Sequence, residues 1–348
     1  MSTSAIKGSL PTILISPQDI AQIVSKKGLK EVFEGVADYI LKDYLRWNEF
    51  DKSARVASYL DNGVLELMPI ASKDQYSFKY VNCHPDNPKS GLSTVLAFGA
   101  LINNSTGLPG VISEFTLTTA IRTAAMSALT ARFLARKNSK RMAIIGNGCQ
   151  SEFQALAFHY LLGINELALF DIDKEASKKL AENLKDTSIQ ITICDSVEEA
   201  VKGADIITTV TAEYSKAHII KASMIEKGMH INAVGGDSPG KTELEPSVLN
   251  MGKVYIEFEP QTRVEGELQN MPADFEVSLL SNVFASGNPA RTSDEEITIF
   301  DSVGFAIEDF SAVRYMTDVA KELGLAQAIS IAPNLDNPKD LFNYLKKH

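Results

Sequence analysis

Three cations interrupt runs of apolar or small residues: Ala54-Arg55-Val56-Ala57, Ser77-Phe78-Lys79-Tyr80-Val81 and Ala120-Ile121-Arg122-Thr123-Ala124-Ala125. Unpartnered buried charge is costly. Phe115 to Ser151 contains no Asp or Glu, so Arg122 must meet a carboxylate from elsewhere in the chain or from a ligand. A substrate carboxylate is the economical partner, although a lone Lys or Arg also snorkels to solvent. Asp237, in Asn232-Ala233-Val234-Gly235-Gly236-Asp237-Ser238-Pro239-Gly240-Lys241, follows an expected strand at the end where open α/β sheets bind ligands. It is the leading acid–base candidate, with Lys79 counted beside it; its other reading is an Asx turn before Pro239. Glu66, in Val64-Leu65-Glu66-Leu67-Met68, either faces outward on its strand or adds an acid to a cleft.

A second kind of chemistry lies in Met142-Ala143-Ile144-Ile145-Gly146-Asn147-Gly148-Cys149-Gln150-Ser151-Glu152, a Gly-x-Gly-x-x-Ser between an apolar strand and a helix. Gly146 and Gly148 let the backbone turn and approach a pyrophosphate, Ser151 is small enough for close packing, and the helix amino terminus favours an anion. The next strand, Leu167–Phe170, ends in Asp171, 171 − 146 = 25 residues after the first glycine, where a carboxylate can accept from ribose hydroxyls. An acid there repels a 2′-phosphate and favours NAD over NADP. The bland reading is a glycine turn in a nucleotide-free sheet with Asp171 capping a helix; Asp173 competes for that cap before Glu175.

The elements that must position these groups fall into two blocks. Thr12–Ile15, Ala54–Leu60, Gly63–Ile70, Gln75–Asn82 and Thr94–Ile102 read as strands of a β-rich block, with Asn103 to Gly107 turning into a hairpin with Gly110–Ser113. Ser16-Pro17-Gln18-Asp19 reads as a capping box opening a helical stretch. After a long helix from Leu117 to about Ala135, strands and helices alternate: Met142–Ile145, Leu167–Phe170, Ile189–Ile193, Ile206–Val210, Met229–Val234 and Val254–Phe258 are the strands, predicting a doubly wound parallel sheet. A helical run, Ala306–Leu323, leads into a tail that could return to the first block.

The chain has 348 residues, 45% hydrophobic and 22% charged, enough for about two domains with substantial cores. Its formal net charge of −10 is the wrong sign for clamping nucleic acid. The opening MSTSAIKGSLPTILIS lacks an apolar core behind a basic start, and no apolar run approaches the ~20 residues of a membrane span. Cys83, Cys149 and Cys194 are too far apart for a disulfide framework or a CxxC site, which suits a reducing cytosol, and the histidines show no metal-binding spacing. The expectation is a cytoplasmic enzyme acting on a small molecule, without metal, nucleic acid or membrane.

The chain resembles the ornithine cyclodeaminase and mu-crystallin family along nearly its full length. The resemblance rests on Phe50-Asp51-Lys52-Ser53-Ala54-Arg55, Phe78-Lys79-Tyr80-Val81-Asn82, Ile145-Gly146-Asn147-Gly148, Gln150-Ser151-Glu152-Phe153-Gln154-Ala155-Leu156, the Gly235–Leu244 segment, Glu259-Pro260-Gln261-Thr262-Arg263 and Phe300-Asp301-Ser302-Val303-Gly304-Phe305. Cys149 is the departure inside the glycine loop, where a small residue such as alanine is usual. The resemblance implies a Rossmann-type NAD-binding domain (123–326) inserted into a β-rich α+β domain for substrate and dimerisation (1–122 plus 327–348), and a homodimer. It implies that Arg55, Lys79 and Arg122 hold an amino-acid carboxylate, that Asp237 is the acid–base meeting the amines, and that Val303 touches the substrate. For NAD it points to Thr94, Arg122, Cys149, Gln150, Asp171, Thr211, Val234, Gly235, Gly236, Asp237, Lys241 and Ser302. The implied reaction takes L-ornithine to L-proline and ammonia with NAD reduced and reoxidised in one cycle. An alanine-type dehydrogenase, a cyclic ketimine reductase and a binding module are the rival readings, and lysine or diaminobutyrate are rival substrates.

Overall fold

The computed structural model describes residues 11–212 and 215–347; the opening residues 1–10, on which the reading of a missing export signal rests, lie outside them. Two eight-stranded sheets organise the chain. In the first, Gln327–Ile329, Thr12–Ile15, Pro109–Glu114, Val95–Asn103, Gln75–Cys83, Gly63–Ala71 and Asp51–Lys52 lie side by side, and Val56–Leu60 also pairs with Gly63–Ala71. All neighbours are antiparallel except Thr12–Ile15 and Pro109–Glu114, which run parallel. The tail therefore does return to the first sheet, pairing Thr12 with Ile329.

Helix Pro17–Lys27 starts on the capping box as expected: the Ser16 hydroxyl accepts from Asp19 N–H, and the Asp19 carboxylate accepts from Ser16 N–H at 2.8 Å. Helices Thr116–Leu134 and Ala306–Glu322 pack on this sheet and helix Leu29–Leu45 packs on both of them, and Phe33, Val36, Ile40, Ile121, Ala125, Phe310 and Val313 among the three are fully buried. The helix 306–322 falls before the sequence boundary at 326, yet it packs mainly on the first block. Period-two alternation sets the faces of the sheet: Val64, Glu66, Met68 and Ile70 point into this core, Leu65 and Leu67 away from it.

The second sheet is wholly parallel, in the order Gln190–Ile193, Glu166–Phe170, Arg141–Ile145, Ile206–Thr209, His230–Ala233, Thr298–Asp301, Lys253–Ile256, Ser278–Leu279. Chain order runs outward from Arg141–Ile145 to one side, then resumes at Ile206–Thr209 on the other. The carboxyl ends of those two strands therefore frame the crevice of a doubly wound fold. Its central strands are buried end to end, as strands covered on both faces must be. Sequence periodicity did not reveal Thr298–Asp301, nor the small parallel pair Lys216–Ile220 and Thr242–Leu244. Among the described residues no helix is long and apolar enough to cross a membrane.

Candidate active site

The crevice opens into a cleft of about 420 Å³ between the two sheets. Arg55, Glu66 and Lys79 reach it from the first sheet and Arg122 from the long helix; Asp237, Lys241, Ser302 and Val303 reach it from the loops after His230–Ala233 and Thr298–Asp301. Thr94, Gly148, Cys149, Gln150, Thr211, Val234 and Gly235 line its other side. Residues separated by up to 248 positions thus meet in one cavity.

The remaining cofactor candidates sit just behind that wall. Gly146 turns with φ +93°, and a Cβ there would lie 2.7 Å from the Val210 carbonyl oxygen, so only glycine lets these two loops touch. A Cβ on Gly148 would meet nothing within 4 Å, leaving open space in front of the turn. Ser151 begins helix Ser151–Leu162 and donates to the Gly148 carbonyl at 2.6 Å, closing the loop onto its helix. Asp171, at the tip of its strand, accepts from the backbone N–H of Asn147 and, at 2.8 Å, from that of Asp173. Asp173 is the cap: its side chain accepts from Glu175 N–H. Gly236 lies under the cleft against Glu267.

All three cations are paired to carboxylates of the protein, not left for a ligand alone. Lys79 Nζ lies 2.9 Å from Asp309 Oδ1; Arg122 Nη1 lies 2.7 Å from Glu308 Oε2, with its Nε 2.9 Å from Asp309 Oδ1. Arg55 is engaged on every side: Nη1 donates to both Glu66 oxygens at 3.1 Å, Nη2 to the carbonyls of Val303 and Gly304, and Nε stands 3.0 Å from Glu265 Oε2 without aiming its hydrogen at it. Glu66 is thereby resolved as inward and buried. Glu265, Glu308 and Asp309 escaped the sequence reading. For the last two a signal existed, since an acidic pair stands inside the apolar Ala306-Ile307-Glu308-Asp309-Phe310, the same kind of anomaly that singles out Arg122.

Burial sets the charges in this cluster. Desolvation, followed by the neighbouring Arg122, brings Lys79 down to about 8 despite Asp309. Desolvation raises Glu308 to about 8 against the pull of Arg122, and Glu265 to about 7 against that of Arg55. Asp237 differs from all of these, because its side chain is 42% exposed and accepts from Lys241 Nζ at 3.0 Å. It is the acid with free access to a bound molecule. Among the described residues, no group of three or more His, Cys, Asp and Glu could hold a metal ion.

Fold and cleft together define a dinucleotide-binding α/β protein whose crevice faces a buried cation cluster. The chain belongs to the ornithine cyclodeaminase/mu-crystallin family, whose pattern matches residues 18–324. It is 48% identical over 334 residues to the ornithine cyclodeaminase of Brucella suis biovar 1 (strain 1330), covering 96% of this chain and 93% of that one. In structure it is similar to a lysine cyclodeaminase studied for recognition of L-lysine, L-ornithine and L-2,4-diaminobutyric acid, with a TM-score of 0.90 at 27% identity over 95% of this chain and 99% of that one. It is also similar to an archaeal alanine dehydrogenase dimer with bound NAD, with a TM-score of 0.84 at 29% identity over 92% and 99% of the two chains.

Proposed function

We propose that this protein converts L-ornithine to L-proline and ammonia with NAD as its cofactor. The observation that carries the reading is the meeting, in one cleft, of a glycine turn shaped for a pyrophosphate, a buried cluster of Lys79, Arg122 and Arg55, and the accessible carboxylate of Asp237. The similarity to the Brucella enzyme supports it independently.

The residues fit the cofactor: Gly148 leaves the space, Gly146 lets the turn close on the Val210 loop, Gln150 at the start of helix 151–162 lines the same cleft, and Asp171 stands where ribose hydroxyls would donate. Thr94, Cys149, Gln150, Thr211, Val234, Gly235, Gly236, Lys241 and Ser302 complete the surround. When bound there, NAD would supply a hydride acceptor for Cα and, later in the same cycle, the hydride donor, leaving no net redox change. Asp171→Ala is expected to weaken NAD⁺ binding at least several-fold and to narrow the gap between NAD⁺ and NADP⁺, measured by titration with each; unchanged affinities for both would show that another residue reads the ribose.

The cations hold the substrate. Lys79 has donors left beyond Asp309, and among the described residues Arg122 Nη2 makes no hydrogen bond, so these two take the α-carboxylate directly. Arg55, whose two Nη atoms are already engaged, joins them by exchanging one of its present acceptors. Val303 packs against the aliphatic chain, and Glu66 borders the far end of the cleft. With the carboxylate fixed, and with Cα an electrophilic iminium carbon once hydride and one α-ammonium proton have left, Asp237 takes a proton from the δ-ammonium, freeing its lone pair to attack that carbon. It then hands that proton to the departing α-amine as the old C–N bond breaks and the ring nitrogen sheds one, and the two protons released are taken up again by ammonia and by the ring nitrogen after hydride returns. This order predicts the fate of each nitrogen: ornithine labelled with ¹⁵N at the α-amine should release labelled ammonia and leave the proline unlabelled, as read by mass spectrometry. Label retained in proline would mean that the δ-nitrogen leaves, and the roles given to Asp237 and the cations would be wrong.

Residues 1–122 with 327–348 form the substrate and dimerisation unit in this reading, and 123–326 the cofactor unit. The outer face of the first sheet supports a homodimer. There Val56, Leu67, Tyr80 and Phe98 form one cross-strand row, Val56 64% and Phe98 49% exposed, more apolar surface than a monomer comfortably leaves in water. The same proposal assigns the protein to amino-acid metabolism and proline biosynthesis, acting in the cytoplasm.

A further inference from the structure

Behind the cleft lies a row of buried acids that neither binds substrate nor pairs with the three cations. Asp301 ends the strand Thr298–Asp301; its two oxygens accept from the backbone N–H groups of Glu267 and Leu268 at 2.9 and 3.0 Å. The Glu267 carboxylate accepts in turn from Glu243 and Leu244 N–H at 2.7 and 3.1 Å. Glu243 then accepts from Thr211 N–H at 2.7 Å and from Gly235 N–H at 2.9 Å. Each acid holds the backbone that carries the next, and all three are at most 1% exposed.

Glycines make each approach possible. A Cβ would fall 2.6 Å from Asp301 at Gly266, 2.5 Å from Glu267 at Gly236 and 2.2 Å from Glu243 at Gly235. Those last two glycines had been read only as cofactor contacts. Burying a carboxylate costs several kcal/mol before its hydrogen bonds offset it, and here that cost is met by backbone N–H groups rather than by a cation. Three such acids in series, each satisfied by two N–H groups, are a device for holding backbone.

What they hold are two neighbouring loops on one side of the crevice, at the ends of paired strands. Thr211 follows Ile206–Thr209; Gly235 follows His230–Ala233 and precedes Asp237 by two residues. The geometry points to Glu243 as a positioning residue of the reaction, with Glu267 and Asp301 behind it: its carboxylate straps the cofactor-side loop at Thr211 to the loop carrying Asp237. The inference rests on the reading of Asp237 as the acid–base group.

Glu243→Gln tests it, because the amide keeps the size but turns a donor toward one of the two N–H groups. The expected result is a split: kcat down at least ten-fold and KM for NAD⁺ up several-fold, with KM for L-ornithine within about three-fold and the folded fraction, counted by NAD⁺ titration, unchanged. A residue that served stability alone would lower the folded fraction and move neither KM. Should E243Q not accumulate folded, Glu267→Gln, one link back and outside the cleft, carries the same test with the same split. Asp237→Asn is measured alongside. Wild-type kcat and KM for NAD⁺ in a folded E243Q or E267Q, next to an inactive D237N, would overturn the strap and leave the role of Asp237 standing. An active D237N would overturn that role and the strap with it.

Discussion

Asp237→Asn should lower kcat by roughly a thousand-fold while NAD⁺ affinity stays within a few-fold of the native value. The exchange removes the group that carries a proton between the two amines, worth roughly 10²–10⁴ in rate, and leaves the glycine turn untouched. Structural damage is expected to be slight. The side chain is 42% exposed, its one strong partner is Lys241 at 3.0 Å, and an asparagine oxygen can still accept from that ammonium. Steady-state turnover with parallel NAD⁺ titration checks it, and because KM for L-ornithine depends on the cation cluster, it should move little. Native turnover in D237N would remove Asp237 from the mechanism.

Arg122→Ala is expected to fail in two separable ways. The side chain is buried and paired to both Glu308 and Asp309, so its loss leaves Asp309 with Lys79 alone and the buried Glu308 carboxyl without its donor, at a cost of about 3–5 kcal/mol. For a chain of this size that is a drop in Tm on the order of 10 °C. The same change removes a substrate donor, so kcat/KM for L-ornithine should fall by a factor on the order of 100 or more, by analogy with a lost charge-assisted hydrogen bond. The second variant Glu308→Gln separates the two effects. In the double variant R122A/E308Q part of the Tm should return, because one buried carboxyl left without its donor is gone, while kcat/KM stays low because the substrate donor is still missing. Recovery of both together would mean that Arg122 acts only on the fold. No recovery of Tm would mean that the cost lies in lost packing and not in charge.

The parts of the fold legible in the sequence are those coded locally. The capping box at Ser16 and Asp19, the strand–Gly146–helix turn, the acid at the tip of the next strand and the helix cap at Asp173 each depend on residues within a few positions of one another, and each forms where its spacing puts it. The doubly wound sheet follows from repeated strand and helix periods, although Thr298–Asp301 was missed because four residues behind a polar loop give no period to read. Glu66 was ambiguous for a physical reason. Val64, Met68 and Ile70 are apolar on one face of the strand and Leu65 and Leu67 on the other, so alternation alone does not say which face is the core. Pairing of Glu66 with Val81 and Met68 with Lys79 settles it, and that register is a tertiary fact.

The site was legible in kind and incomplete in its partners. Arg122 announced that it needed a carboxylate; that Glu308 and Asp309 would provide one, 186 and 187 positions later, depends on how the helix 306–322 lies over the first sheet. The same holds for Glu265 beside Arg55. The acids beneath Gly235 and Gly236 were invisible because their partners are backbone N–H groups, which every residue carries and no pattern marks.

A redox-neutral cyclisation turns ornithine over without consuming NAD⁺, so product stoichiometry against cofactor is the decisive measurement. Purified protein is incubated with L-ornithine and a catalytic amount of NAD⁺ while proline, ammonia and NADH absorbance are followed together. Proline and ammonia are expected in equal amounts, far exceeding the NAD⁺ supplied, without accumulating NADH. NADH rising in step with ornithine loss, with product capped at the amount of NAD⁺ added, would contradict it and make the protein a dehydrogenase.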